Sequence, residues 1–155
     1  YFQNVEDPVE IVFFGDHQPS LNTNFYRGLN GKGLSGLTED ELEHLYTVPF
    51  FIWTNYESET KEVPITSLNY LSTMALEKAG IALPAYNQFL ADMMETVPAI
   101  NSRGYYSKQH GCYMHLEEAD GEEAEWIQKY QMLQYNNMFD KKKQSKLFFP
   151  YLKEQ

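Results

Sequence analysis

The chain has 155 residues, 43% of them hydrophobic, with 12 basic against 22 acidic residues and a formal net charge of −10. That length suits one domain with one core, burying roughly 68–70% of its unfolded surface, and such a charge repels phosphate backbones, so nucleic acid is excluded as a partner. A lone cysteine, Cys112, excludes an intramolecular disulfide and a cysteine-cluster zinc site, and no apolar run reaches the 18 residues of a membrane span.

Asp7-Pro8 breaks structure, and a first strand is predicted from about Val9 to Phe14. Tyr1-Phe2-Gln3 before it reads equally as a tag remnant or as part of a natural helix-to-strand connection. The run Ile11-Val12-Phe13-Phe14 reads as a strand buried on both faces, as in a parallel sheet. Parallel strands need a preceding crossover, so the chain is expected to begin inside a larger domain. Gly15 lets the backbone leave the strand sharply, and Pro19 stops the ladder. Asp16 and His17 therefore fall at the carboxyl end of a strand, where open α/β sheets keep their ligand sites. A hard oxygen beside a borderline nitrogen suits a divalent cation. On residue types alone, an aspartate capping a turn beside a half-buried histidine is an equal reading.

Residues 18–37 carry Asn22, Asn24, Asn30 and four glycines, the chemistry of a long loop. Arg27 within it is a candidate for bidentate pairing with a substrate phosphate, or a solubilising loop residue. Thr38-Glu39-Asp40-Glu41 is a capping box that opens a short helix to about Tyr46. Val48 to Thr54 is a second apolar strand, and Asn55 to Pro64 a polar connection. Thr66 or Ser67 is expected to cap a helix over 68–79, with Leu68, Leu71, Ser72, Ala75 and Ala79 as its stripe and Gly80 as its C′ residue. Another helix is predicted over 85–96, ended by Pro98. Residues 99–121 read as irregular and tyrosine-rich, with a short strand at Gly111–Leu116. A last helix is predicted from Asp120 to Phe139, followed by a basic tail at 141–155 holding Lys141, Lys142, Lys143 and Lys146.

Other chemistry-bearing residues have bland readings. His110, Cys112 and His115 lie in what reads as a surface loop, and His44 as a solvated histidine. The glutamates at 57, 59, 62, 117, 118, 122, 123 and 125 read as solvated faces. Trp53 reads as core, and the lysine tail either touches an anionic membrane surface or does nothing specific. The fold class is α/β, a small incomplete sheet with helices packed on it.

Val12-Phe13-Phe14-Gly15-Asp16-His17-Gln18-Pro19 resembles the sulfatase-type domain of the lipoteichoic acid synthase family, in the alkaline phosphatase superfamily. Val48 to Tyr56 is similar to that family's next core strand, and Ser67 through Leu90 to its closing helices. Gln134-Tyr135-Asn136-Asn137-Met138-Phe139-Asp140 resembles the end of the domain. The resemblance implies the C-terminal part of an alkaline-phosphatase-like α/β/α domain, residues 1–155 forming a single partial domain. It implies a divalent metal, manganese first with magnesium or zinc as alternatives, and Asp16 and His17 as its ligands.

It further implies transfer or hydrolysis of phosphate or sulfate esters of an anionic lipid, on the extracellular face of a bacterial membrane, in a membrane-anchored parent. The family's threonine nucleophile and first metal ligand lie upstream of the Asp-His pair. Thr23, Thr38 and Thr47 all follow that pair, so the chain alone is expected to lack activity. A truncated sheet with an open edge is also expected to pair as a homodimer. A non-catalytic module that binds sugar or lipid headgroups through its tyrosines is the alternative.

Overall fold

A computed structural model describes residues 1–140. The basic tail therefore lies outside the described residues. Among the described residues, two small antiparallel sheets and five α-helices make a mixed α/β fold. The α/β expectation holds, and helices do pack on strands.

Strands β1 (Glu10–Phe14) and β2 (Phe50–Thr54) form a two-stranded ribbon. They run antiparallel, with Ile11 opposite Trp53 and Phe13 opposite Phe51, which corrects the expected parallel sheet. They are also not buried on both faces: Phe13 is 54% and Phe51 52% exposed, their rings stacked at 5.1 Å. An apolar run has the same composition in either orientation, so only the pairing could decide. Asn55 locks the ribbon's far end. Its Oδ1 accepts from Val9 N at 2.7 Å, while its Nδ2 donates to the carbonyls of Val5 and Asp7, each at 3.0 Å.

Between the strands, the expected loop at 18–37 holds helix α1 (Thr23–Asn30). Asn22 caps it by accepting from Phe25 N at 3.0 Å, and Gly31 closes it. Helix α2 (Glu39–His44) has the expected capping box, with Thr38 Oγ1 accepting from Glu41 N and Glu41 Oε2 accepting from Thr38 N. That amide, with the Lys32 ammonium, holds the Glu41 carboxyl below its usual range.

The core lies further along the chain. A 3-10 turn at Leu68–Tyr70 leads into α3 (Leu71–Lys78), then α4 (Ala85–Thr96). The expected single helix over 68–79 is thus two elements, and Ser67 gives no side-chain cap. Its buried face is Tyr70, Leu71 and Thr73, whereas Leu68, Ser72 and Ala79 face solvent. Gly80, at φ +69°, occupies the left-handed position after the helix, and Ile81 N returns to Leu76 O at 2.9 Å.

The short strand expected at Gly111–Leu116 is present as β4 (Cys112–His115), and β3 (Gly104–Ser107), in the part expected to be irregular, pairs with it as a hairpin. Helix α2 packs on β4, and α5 (Gly121–Phe139) crosses α4. Tyr70, Leu90, Met93, Val97, Ile100, Tyr105, Ile127 and Tyr130 form the buried cluster. Each large side chain removed from water contributes about 1.5–3 kcal/mol.

Four tyrosines make this core sensitive to alkali. Burial pushes the Tyr86 phenol from 10.0 up to about 12, aided by Tyr130. It does the same to Tyr105, also to about 12, with Glu123 adding to the shift. Tyr70 and Tyr130 are raised as well, again chiefly by burial. A raised folded-state value means the folded chain holds these protons more tightly than the unfolded chain does. The stabilisation is therefore complete below about pH 10 and is lost as pH rises towards the folded values. Melting temperature measured across alkaline pH should stay level up to about pH 9.5 and then fall. Tyr70→Phe should cost about 1–3 kcal/mol at neutral pH, because Tyr70 Oη donates to the buried Val97 carbonyl at 2.6 Å.

Candidate functional site

The site begins where β1 leaves the ribbon. Gly15 N donates to Pro49 O at 3.0 Å, which extends the ladder one step past β1. A Cβ at Gly15 would stand 2.9 Å from Val48 Cβ, so the strand can leave this closely only at a glycine. The next two residues, Asp16 and His17, emerge into solvent with side chains 80% and 76% exposed. Gln18 ties the turn back, its Nε2 donating to Thr47 O at 2.7 Å.

The two side chains converge. His17 Nε2 lies 3.3 Å from Asp16 Oδ2. Asp16 Oδ1 is already occupied, accepting from His17 N at 2.8 Å. His17 Nδ1 lies 3.0 Å from Gln18 O, which can only accept, so this contact is a hydrogen bond in the tautomer that carries a proton on Nδ1. In the neutral ring of that tautomer Nε2 is the nitrogen left to bind a cation, and it is the one that faces the carboxylate. A ring nitrogen oriented by a carbonyl behind it is the usual support of a metal-ligating histidine.

This donor set fits two corners of a coordination shell. Two donors about 2.0–2.1 Å from one tetrahedral ion stand about 3.3–3.4 Å apart, which matches the separation of Oδ2 and Nε2. Among the described residues, no group of three His, Cys, Asp or Glu side chains is placed to hold a metal. The remaining donors must therefore come from elsewhere if an ion binds here.

Arg27 lies in the last turn of α1, exposed, its stem against Gly33. The described residues show no contact between Arg27 and the Asp16–His17 pair. Thr38 Oγ1 is used in the helix cap, and Thr47 Oγ1 donates to Glu43 O at 3.5 Å. His110, Cys112 and His115 form no cluster: Cys112 and His115 belong to β4, and His115 Nε2 faces Glu39 Oε2 at 3.4 Å. His44 is exposed as expected, with Asp40 3.6 Å away.

Two carboxylates contradict their sequence reading or escaped it. Glu123, expected on a solvated face, is 5% exposed and accepts from Ser107 Oγ through both oxygens, at 3.1 and 2.8 Å. Glu43 is 5% exposed and accepts from Asn101 Nδ2 at 2.5 Å. Glu123 fastens β3 to α5, Glu43 fastens Asn101, just before β3, to α2, and neither lies in the Asp-His turn.

The chain matches the sulfatase family model over residues 1–81, just over half its length and including β1, the Asp16–His17 turn, β2 and α3. It belongs to the sulfatase family, in the alkaline phosphatase superfamily. It is 26% identical over 151 residues to a protein of Rhizobium meliloti (strain 1021) described as "Putative cyclic beta-1,2-glucan modification protein". That match covers 90% of this chain and 22% of the relative, so the chain spans about a fifth of that protein's length. No solved structure gives a significant match.

The Gly15 contact has a direct test. Gly15→Ala should displace the Asp16–His17 turn, because the new methyl cannot share space with Val48 Cβ. Val48→Gly in the same chain should restore the turn, while Val48→Ala should not, since it keeps the offending atom. Backbone amide shifts of residues 15–18 in NMR spectra read the displacement. A double-mutant cycle with no coupling between positions 15 and 48 would contradict this account.

Proposed function

We propose that this chain is part of a divalent-metal-dependent enzyme that transfers or hydrolyses a phosphate or sulfate ester, with Asp16 and His17 as two of the metal's ligands. The observation that carries the reading is the convergence of Asp16 Oδ2 and His17 Nε2 at 3.3 Å, with His17 Nδ1 held on the Gln18 carbonyl. Family membership supports it, since sulfatase-family domains are generally metal-dependent. Manganese is the first candidate, with magnesium or zinc as alternatives.

When bound, such an ion supplies Lewis acidity, offsetting the charge that develops on a phosphoryl or sulfuryl oxygen. The chain's own groups do the holding. Asp16 contributes negative charge, and His17 contributes a neutral nitrogen whose proton is kept on Nδ1 by Gln18. The Gln18–Thr47 bond tethers the turn that carries both. In a protein of net charge −10 an anionic ester is repelled overall, so a local cation is what would admit it.

The remaining metal ligands and the nucleophile lie, in this reading, in parts of the protein not included in residues 1–155. The chain's coverage of only 22% of its relative leaves room for them. Residues 1–155 alone are then inactive. The substrate is an anionic lipid or another phosphoester at the outer face of a bacterial membrane, as the lipoteichoic acid synthase resemblance implies, and Arg27 is a candidate phosphate contact. The relative's description as a glucan modification protein favours a sugar hydroxyl as acceptor. The open edges of the β1–β2 ribbon would carry the homodimer.

Titration calorimetry with manganese on the full 155-residue chain tests the reading. Weak binding is expected, as suits two donors, and Asp16→Ala and His17→Ala should each abolish it while His44→Ala leaves it unchanged. Equal binding by the wild type and Asp16→Ala would overturn the ligand assignment. Glycerophosphate or oligosaccharide binding that ignores manganese would instead support the headgroup-binding module. Turnover of a chromogenic phosphate ester by the chain alone would overturn the absent nucleophile.

A further inference from the structure

Glu43, in the last turn of α2, takes a carboxyl group into the interior, where it is 5% exposed. Asn101 Nδ2 donates to its Oε2 at 2.5 Å, and its Oε1 is buried without a hydrogen-bond partner among the described residues. A buried polar atom left unsatisfied costs stability, and an apolar side chain of similar length would avoid that cost. Local rules broken in this way concentrate at residues kept for function.

What Glu43 holds is the end of α2. Its backbone carbonyl accepts from Tyr46 N at 3.0 Å and from Thr47 Oγ1 at 3.5 Å, while Thr47 N donates to His44 O at 3.4 Å. Thr47 is thereby wound onto the helix end. Its own carbonyl accepts from Gln18 Nε2 at 2.7 Å. The next two residues are Val48, which Gly15 approaches, and Pro49, whose carbonyl takes the last ladder bond from Gly15 N. The floor beneath Asp16 and His17 is therefore the strap 47–49, hung between α2 and β2.

A helix of six residues does not hold its own position. The hairpin region locates α2 through three side chains. Asp40 Oδ1 accepts from Tyr113 N at 3.0 Å, Glu39 faces Arg103 at 3.3 Å and His115 at 3.4 Å, and Glu43 reaches Asn101. Of the three, Glu43 is the most buried and the nearest in chain to the strap. Asn101 is itself fixed, its Oδ1 accepting from Arg103 N at 2.8 Å and Gly104 N at 2.9 Å.

We infer that Glu43 is a positioning residue for the Asp16–His17 turn. Its bond to Asn101 sets where α2 ends, and so where Thr47 meets Gln18. The consequence for a bound metal rests on the ligand reading proposed above.

The experiment exchanges the two ends of the buried bond in the full chain. Asn101→Asp keeps the oxygen that accepts from Arg103 N and Gly104 N but sets an acceptor against Glu43. In the metal-free chain, the Gln18 side-chain amide and the backbone amides of Asp16, His17 and Gln18 should then shift in NMR spectra. Adding Glu43→Gln supplies a donor again and should return these resonances to their wild-type positions. Ser107→Ala takes the donor from the other buried carboxylate, Glu123, and should lower the melting temperature without moving them. Zinc affinity, read from the His17 ring nitrogens, should fall about tenfold in Asn101→Asp and recover in the double variant. Glu43→Ala takes the place of Asn101→Asp if that variant fails to fold, and should move the same resonances. Unmoved resonances at residues 16–18 in a folded Asn101→Asp or Glu43→Ala variant overturn the inference, and so does an equal shift in Ser107→Ala. A wild-type chain whose His17 nitrogens ignore zinc would contradict the ligand reading instead, and the metal-free shifts would still decide the role of Glu43.

Discussion

The close approach of Gly15 to Val48 is the constraint on which the candidate site depends. It brings the end of β1 against the entry to β2, more than thirty residues later in the chain. One further ladder bond, Gly15 N to Pro49 O, then fixes the direction in which the backbone leaves. The following residue has nowhere to go but outward. Asp16 and His17 are therefore presented together, and the Gln18–Thr47 bond closes the turn beneath them. A larger residue at position 15 would push this turn off β2 and separate the exit from its tether.

The rest of the fold is a support of a different kind. Its helices and hairpin bury tyrosines, methionine and aliphatic residues in one cluster, and two buried carboxylates bind the hairpin to its neighbours. Glu43 reaches from α2 to Asn101, and Glu123 reaches from α5 to Ser107. Glu123 is satisfied by Ser107 through both oxygens, whereas Glu43 is held through one oxygen and its Oε1 is buried without a hydrogen-bond partner among the described residues. The Asp-His pair is the reverse, largely exposed, with Asp16 Oδ2 and His17 Nε2 side by side at 3.3 Å. That contrast is what the proposed ligand role of Asp16 and His17 rests on.

Much of this was legible in the sequence because it depends on local chemistry. Thr38 and Glu41 are three apart before a helix, Gly80 follows a helical stripe, and Pro98 ends a helix; each acts on atoms within one turn. Gly15-Asp16-His17 was legible for the same reason, as a strand exit followed by two donors. The orientation of β1 against β2 was not, because hydrophobic composition carries no pairing direction. Helix α1 was hidden by its asparagines and glycines, although Asn22 as N-cap, Phe25 and Leu29 one turn apart, and Gly31 as C-cap spell it out. The burial of Glu123 could not be read at all, since the hydroxyl that satisfies it is Ser107, on another element.

The same reasoning accounts for where chemistry concentrates. Residues 1–81 match the sulfatase family and contain the ribbon and the turn, while most of the buried cluster lies after them. The most direct measurement of the central claim is the nitrogen spectrum of His17, from two-bond proton–nitrogen correlation in the ¹⁵N-labelled chain titrated with zinc, a diamagnetic substitute for manganese. The account predicts a proton on Nδ1 before and after the titration, with the Nε2 resonance moving as metal is added and remaining still in Asp16→Ala. A proton on Nε2 with Nδ1 free, or an Nε2 resonance that does not respond to metal, would contradict it.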